Sequence, residues 1–536
     1  MTIKIHLAIY LSLLVAVNAY EIWPHPKQMK MNDTFLSIDP KNFTIHSKTN
    51  GDCQVLNRAI ERYLDRMFIQ DCSLVNEQFR GRYLSNKTEN FKKMTNYSGQ
   101  MTTLLILVHD KCETMPNTKM NEAYTVKIDK DHSVIESKSV WGALRGLETF
   151  SQMFRHVGKN QFSINTGQID DEPRFAFRGV MLDSSRHFLP LHAIYETLDA
   201  MEMNKFNVFH WHIVDDQSFP FVSTTFPELS KKGSYRSNFI YTPEDVQKVL
   251  RYANDRGIRV IPEFDSPGHT ESWGKGQPNL LTQCYDGKGK PIPNSYGPIN
   301  PVLNSTYEFI QKLFHEIAER FPDQYMHLGG DEVDFGCWKS NPILQEFMKI
   351  NQFGDDYAKL ESYYITKLID IVQNLNRSYI VWQEVFDNEV KIRPETVVHV
   401  WKNSALWQME MKNVTKAGYQ ALLSSCWYLN YISYGNDWYK YYQCDPQNFN
   451  GTIQEQNLVT GGEACLWGEF IDASNLISRT WPRACAVAER LWSPKSFKDP
   501  KKAKTRFHGQ RCRMQILGLK VEPIEGPDFC YCDDAI

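Results

Sequence analysis

Tyr325-Met326-His327-Leu328-Gly329-Gly330-Asp331-Glu332 is a short apolar run that stops at two glycines and then presents two adjacent carboxylates. Glycine reaches backbone angles closed to residues with a Cβ, so a Gly-Gly step turns a strand sharply and brings main chain close to whatever lies above it. A strand ending this way delivers acids to one edge of a sheet. From Arg174 onward the same arrangement recurs, with an apolar strand, a polar or aromatic loop and then a longer amphipathic helix. The predicted strands are Gly179 to Leu182, Phe206 to Phe209, Val260 to Phe264, Tyr325 to Leu328, Tyr379 to Trp382, Val397 to Trp401, Gln420 to Ser424 and Glu463 to Trp467. Helical stretches such as Leu191 to Met203, Tyr307 to Arg320, Tyr357 to Leu375 and Thr480 to Leu491 alternate with them. Thr242-Pro243-Glu244-Asp245 adds a cap, a first-turn proline and early acids ahead of Val246 to Ala253. Strand-helix units in this number predict an α/β fold, a (β/α)8 TIM barrel, in which chemistry gathers at the carboxyl ends of the strands.

Those ends carry Asp183 and Arg186, Asp215 and Asp216, Asp265 and His269, Asp331 and Glu332, Trp382 and Glu384, Trp401, Trp427 and Tyr428, and Trp467 and Glu469. Each alone is an ordinary ion pair or packed aromatic. Together they predict a pocket of carboxylates, one Arg and several indoles, suited to a neutral polyhydroxylated ligand held by hydrogen bonds and ring stacking.

A chain of 536 residues exceeds one compact core, and a second domain is expected. Residues 20–168 read as a smaller N-terminal α+β domain without catalytic acids, and residues 169–536 as the catalytic barrel, joined at Asp170-Asp171-Glu172-Pro173. The smaller unit shows a helical period from Ala59 to Ile69, strands at Thr102 to Val108 and Tyr124 to Ile128, and a helix from Trp141 to Val157. A net charge of -3 gives no basic field for nucleic acid. Residues 1–19, with an apolar core from Ile5 to Val17 ending at Asn18-Ala19, read as a secretory signal peptide too short to span a bilayer, and no later stretch reads as a membrane span. Sequons at Asn32, Asn42, Asn86, Asn96, Asn304, Asn376, Asn413 and Asn450 fit the secretory pathway, with the lysosome or the extracellular space as destination, and each marks an expected surface loop. Twelve cysteines in such a chain point to disulfides, and spacing leaves their pairing open.

Hydrolysis of a glycosidic bond needs a proton for the leaving oxygen and stabilisation of a cationic sugar centre. Retaining enzymes of the ordinary kind set two carboxyl groups roughly 5 to 5.5 Å apart, one of them attacking carbon. Asp331 and Glu332 are neighbours at a turn, so their side chains splay and do not flank the bond from both sides. Substrate assistance avoids the difficulty, because a 2-acetamido carbonyl then supplies the nucleophile.

Arg178-Gly-Val-Met-Leu-Asp183-Ser-Ser-Arg186-His187, Phe209-His-Trp-His-Ile-Val-Asp215-Asp216, Glu263-Phe-Asp-Ser-Pro-Gly-His269, His327-Leu-Gly-Gly-Asp331-Glu332, Val381-Trp382-Gln-Glu-Val-Phe, Trp427-Tyr428-Leu-Asn430 and Gly461-Gly-Glu-Ala-Cys-Leu-Trp467-Gly-Glu469 carry a resemblance over essentially the whole chain. The chain resembles the β-N-acetylhexosaminidases of glycoside hydrolase family 20, which include the lysosomal hexosaminidase chains of animals. The resemblance implies exo-acting hydrolysis of terminal non-reducing β-linked GlcNAc or GalNAc from glycans or glycoconjugates. Glu332 would serve as acid/base and Asp331 would steady the acetamide as it becomes an oxazolinium. It further implies that Tyr428 bonds the acetamide carbonyl, that Trp382, Trp401 and Trp467 wall its methyl, that Arg186, Asp215 and Glu469 hold sugar hydroxyls, and that His269 supports the acid. Cys53 with Cys112, Cys284 with Cys337 and Cys512 with Cys530 match the family's bridges, while Cys72, Cys426, Cys444, Cys465, Cys485 and Cys532 stay unassigned. Where the animal chains have Asn-Arg or Asp-Leu after the clamp tyrosine, this one has Asn430-Tyr431, which keeps the Asn without the cation and implies neutral sugars.

No cofactor or metal is expected, and the expected partners are the glycan substrate and a second copy of the chain. Two alternatives stand beside this reading. His210-Trp211-His212 sets two imidazoles on one face of a strand, as in a metal-dependent hydrolase on the same barrel, with His327, His269 or Asp331 completing the ligands. An inactive carbohydrate-binding protein would need a missing catalytic residue, and none is missing.

Overall fold

In the computed structural model the described residues are 22–69, 94–158, 161–402 and 405–530. The expected signal peptide, Asn86, Cys72 and Cys532 lie outside them.

Eight parallel strands close into a barrel. In chain order they are Phe177–Asp183, Val208–Val214, Arg259–Phe264, Tyr325–His327, Ser378–Trp382, Val397–Val400, Gln420–Leu423 and Val459–Leu466. The second runs five residues past the Phe209 end read from sequence, so His210, Trp211 and His212 lie inside it, all buried. Helices Leu191–Met203, Pro243–Asn254, Asn304–Arg320, Tyr357–Asn374, Trp407–Lys416 and Arg483–Trp492 pack around the outside. The Thr242 cap forms as expected, with Asp245 answering it in a capping box. One link departs from the regular unit: only Gln383–Asp387 is helical between the fifth and sixth strands.

Side chains alternate along each strand, so residues two apart climb the same inner face. At the amino end this face is apolar, with Phe177, Val208, Ile261, Ile380, Val397 and Leu422 packed together. Two residues higher the interior turns polar, with His210, Glu263 and His399, joined by His327 and Glu463, all buried. Another step brings His212, Asp265 and Trp401 to the carboxyl mouth. The barrel is therefore graded along its axis from aliphatic to ionic to aromatic.

The N-terminal unit is a mixed sheet of eight strands, from Gln28–Ile38 to Gln161–Asp171, with Gln54–Met67 and Val140–Ser151 packed on it. The second helix begins at an Ser139 cap and ends at Ser151, short of the expected Val157, because Arg155–Gly158 instead pairs antiparallel with Gln161–Asp171. That last strand also takes Asp170 and Asp171 into the sheet, three residues beyond the boundary read at 168. A belt of buried charge joins the two units. Arg62 and Arg66 reach Glu202 at 2.6 and 2.7 Å, Glu122 takes both Arg145 and Arg178, and Lys205 meets Asp171 at 3.0 Å.

Disulfides join Cys53 to Cys112, Cys284 to Cys337, Cys512 to Cys530 and, in a pairing left open by the sequence, Cys426 to Cys444. Cys465 and Cys485 are free and buried. The seven described sequon asparagines are all exposed, although Asn32 lies in a strand, Asn42 in a 3-10 turn, and Asn304 and Asn413 in helices rather than in loops. No described helix is long and apolar enough to cross a membrane.

Candidate active site

The Gly-Gly step after the fourth strand does what its composition requires. Gly329 and Gly330 have φ of +66° and +96°, and a Cβ on Gly329 would lie 1.7 Å from Asp265 Oδ1. The peptide closes onto Asp265, whose Oδ1 accepts from Gly330 N at 2.7 Å. Glu332 then takes φ +50° and His269 φ +55°, strained values for non-glycine residues of the kind that collects at functional sites.

A cavity of about 430 Å³ opens there, lined by Arg186, His269, Asp331, Glu332, Trp401, Tyr428, Asn430, Tyr431, Ile432, Trp467, Glu469 and Phe470. Nine of these are residues that the sequence singled out as site residues. Asp331 is 6% exposed, and its Oδ1 has no hydrogen-bond partner among the described residues. The Glu332 side chain is 61% exposed and reaches the open side of the cavity. His269 Nε2 stands 3.8 Å from a carboxylate oxygen of each acid. Burial disfavours charge on His269, but Asp265, the Asp215 hydrogen bond and Asp331 outweigh it and push its pKa up to about 11.

Trp401 and Tyr428 face each other nearly parallel, 8° apart in plane with centroids 6.2 Å apart, and Trp467 lies 6.4 Å from the tyrosine ring. Arg186 rests over the Trp467 ring at 5.0 Å while pairing with Asp183 and Asp215 at 3.1 and 2.8 Å. The Cys426–Cys444 bridge ties down the loop that carries Tyr428 and Asn430.

Two expected site residues, Asp215 and Trp382, do not line the cavity, and both are wholly buried behind it. Asp215 takes His212, Arg186 and His269, and Trp382 donates its indole N–H to Glu263 at 2.6 Å. Trp427, Asp265 and Glu384 also sit behind the wall. Trp427 donates to Tyr441 O, and Glu384 accepts from Trp401 Nε1 at 2.7 Å. Burial and then the Asp331 charge push Glu384 up to about 7. Sequence reading gave no site role to Ile432 and Phe470, exposed apolar residues on connecting loops. Nothing in loop composition marks them. Glu263 had a signal: it is an acid inside the apolar run from Val260 to Phe264.

Groups with metal-ligand reach include His210, His327 and His399 inside the barrel and Asp265, His269 and Asp331 at the mouth. His210 places its two ring nitrogens 2.8 Å from Glu463 and 3.0 Å from Glu263, and against burial these carboxylates push it up to about 9. A doubly protonated ring has no lone pair for a metal. The same holds for His269.

An eight-stranded parallel barrel whose carboxyl mouth holds an acid pair between aromatic walls defines a carbohydrate-cleaving enzyme of the TIM-barrel class. Residues 175–495 match the glycosyl hydrolase family 20 catalytic domain, and residues 22–153 match the domain described as beta-acetyl hexosaminidase like. The chain is 49% identical to the beta-hexosaminidase subunit beta of Mus musculus over 94% of its own length and 92% of that protein. It is 46% identical to the Bos taurus subunit alpha over 98% and 97%. A Flavobacterium johnsoniae chitobiase superposes with a TM-score of 0.78 at 28% identity, covering 93% of this chain and 73% of that one. The chain belongs to glycosyl hydrolase family 20 and is a glycoside hydrolase.

Proposed function

We propose that this β-N-acetylhexosaminidase removes terminal non-reducing β-linked N-acetylhexosamine from glycans or glycoconjugates, with retention and with the substrate's acetamide as nucleophile. The observation that carries the reading is that both acids, on consecutive residues, line one cavity together with Trp401, Tyr428 and Trp467. Glu332, turned outward into the open part of the cavity, protonates the glycosidic oxygen as that bond breaks. The acetamide carbonyl oxygen attacks the anomeric carbon from the other face and closes an oxazolinium ring. Asp331, with one oxygen free of partners among the described residues, accepts from the acetamide N–H as positive charge builds there. Glu332, now ionised, takes a proton from water as that water opens the ring, and both residues return to their starting state.

Tyr428, Trp401 and Trp467 form the box for the acetamide, and Arg186, Glu469 and Asn430 stand where sugar hydroxyls would be held. Asp215 and Trp382 act from behind this lining. Tyr431 beside Asn430 places an uncharged ring at the rim, which supports neutral sugars over sulfated ones. The N-terminal apolar stretch and the exposed sequons support a glycosylated protein of the secretory pathway, lysosomal or extracellular. Exposed Ile432, Tyr434 and Phe470 near the mouth support a homodimer, since apolar patches of this kind mark association surfaces.

The test is a comparison of aryl β-GlcNAc with the aryl β-glucoside, which lacks the acetamide. The assisted mechanism requires the glucoside to be almost inert, and equal rates would overturn it.

A further inference from the structure

Glu263 is the penultimate residue of the third barrel strand, with no exposure, and four ring nitrogens lie around its carboxylate. Oε2 accepts from His212 Nδ1 at 2.6 Å and lies 3.0 Å from His210 Nε2. Oε1 accepts from Trp382 Nε1 at 2.6 Å and lies 3.2 Å from His327 Nδ1. His212 and Trp382 hydrogen-bond to it, while His210 Nε2 stands close without hydrogen-bond geometry and His327 Nδ1 accepts from Gly329 N–H.

Two of these neighbours lead on to the cavity. His212 Nε2 meets Asp215 Oδ2 at 2.8 Å, Asp215 Oδ1 meets His269 Nδ1 at 3.2 Å, and His269 Nε2 faces both acids. On the other side, Trp382 stacks on His399 at 4.3 Å and backs Trp467 at 5.9 Å, a ring that lines the cavity. One buried anion thus touches the starting point of both the acid end and the aromatic wall.

We propose that Glu263 is a positioning residue for the hydrolysis described above, acting on the acid pair through His212, Asp215 and His269 and on the aromatic wall through Trp382. The inference rests on that reading of the site. Its logic is proton counting. His212 gives one N–H to Glu263 and one to Asp215, which only the imidazolium can do. Without the Glu263 charge His212 falls neutral and must abandon one carboxylate, and Asp215 loses the donor that orients it. His269 then faces Arg186 Nη2 at 3.5 Å, together with Asp265, Asp331 and Glu332, but without a fixed Asp215. In the intact protein His269 stays protonated across any practical assay range. In the variant the Asp215 bond that helps hold this proton is weakened, and the His269 pKa falls from its value of about 11. His327, His399 and Glu463, the remaining titratable groups around Glu263 and His210, belong to the buried layer below and do not reach the cavity.

The experiment is kcat and KM for aryl β-GlcNAc against pH, using the full chain and Glu263→Gln, which keeps the size and one acceptor for the indole. The expected result is a loss in kcat of about 100-fold, the order that a small misplacement of reacting groups produces, with a basic limb in kcat at lower pH than in wild type. Trp382→Phe, which cuts only the wall arm, should raise KM and leave the pH profile of kcat as in wild type. His212→Gln, which cuts only the acid arm, should reproduce the limb. Wild-type kcat in Glu263→Gln, or a loss with an unmoved profile, overturns the proposal. If that variant does not fold, an unmoved profile in His212→Gln overturns it instead. Failure of the underlying reading shows separately, as wild-type enzyme that cleaves the aryl β-glucoside as fast as the acetamido sugar.

Discussion

At the seam between the domains Glu202 is held by Arg62, Arg66 and Arg256, and Glu122 by Arg145 and Arg178, so that each buried anion is met by two or three guanidiniums. At the mouth of the barrel Asp331 Oδ1, His269 Nε2 and Asn430 Oδ1 have no hydrogen-bond partner among the described residues. The residue types are alike and the environments opposite. Satisfied charge stabilises one arrangement of two domains, whereas unspent hydrogen-bonding capacity is what a polar ligand can be bound by.

Four measurements press on that contrast. Glu332→Gln should fold like the wild type and lose about 10³-fold in kcat on aryl β-GlcNAc, the upper part of the range for general acid–base catalysis. Wild-type turnover would sink the division of labour between the two acids. Glu202→Gln should do the reverse, keeping the kcat of the folded enzyme while costing about 3 kcal/mol of stability as guanidiniums lose their anion. Burial alone would raise the Glu202 pKa, but Arg62, Arg66 and Arg256 hold it well below the usual carboxylate range. Its contribution is then fully present above an unfolded pKa of about 4.3 and fades as pH falls below it. The gap in melting temperature between wild type and Glu202→Gln should therefore narrow in acid, and a constant gap would show that charge is not the cause.

Next in size is the Cys426–Cys444 bridge. Replacing both cysteines by Ser frees a short loop, for which chain entropy gives about 3 kcal/mol at most, and the Tyr428 side of the cavity should loosen. KM should rise several-fold with kcat less affected, and unchanged KM would mean the loop is held by packing alone. The smallest effect is expected from dialysis against a chelator, which should leave activity intact because the buried imidazoles of His210 and His269 are tied to carboxylates. Lost activity restored by a divalent metal would reverse that reading.

Much of this architecture was legible from residue order. Eight apolar runs with acids or indoles at their ends gave the barrel and its working face, because inward and outward positions alternate and the loops after strands carry the chemistry. The depth of each side chain was not legible. Asp215 and Trp382 stand at strand ends just as Asp331 and Trp401 do, yet the first two are wholly buried behind the wall. The second strand extends to Val214, beyond the apolar run ending at Phe209, because its buried histidines find carboxylate partners such as Glu263 on a neighbouring strand. The helix read through Val157 failed for a similar reason, since an edge pairing absent from local sequence captured Arg155–Gly158.

The ionic layer inside the barrel also bears on how the molecule folds. Glu263 takes its partners from the second, fourth and fifth strands, and His210 needs the eighth strand for Glu463. A half-closed barrel would hold these charges desolvated and unmatched, at a penalty of several kcal/mol per ion. Arrangements that leave out any of these five strands are thereby disfavoured. No fragment of this chain that omits the last strand should be able to assemble the catalytic mouth.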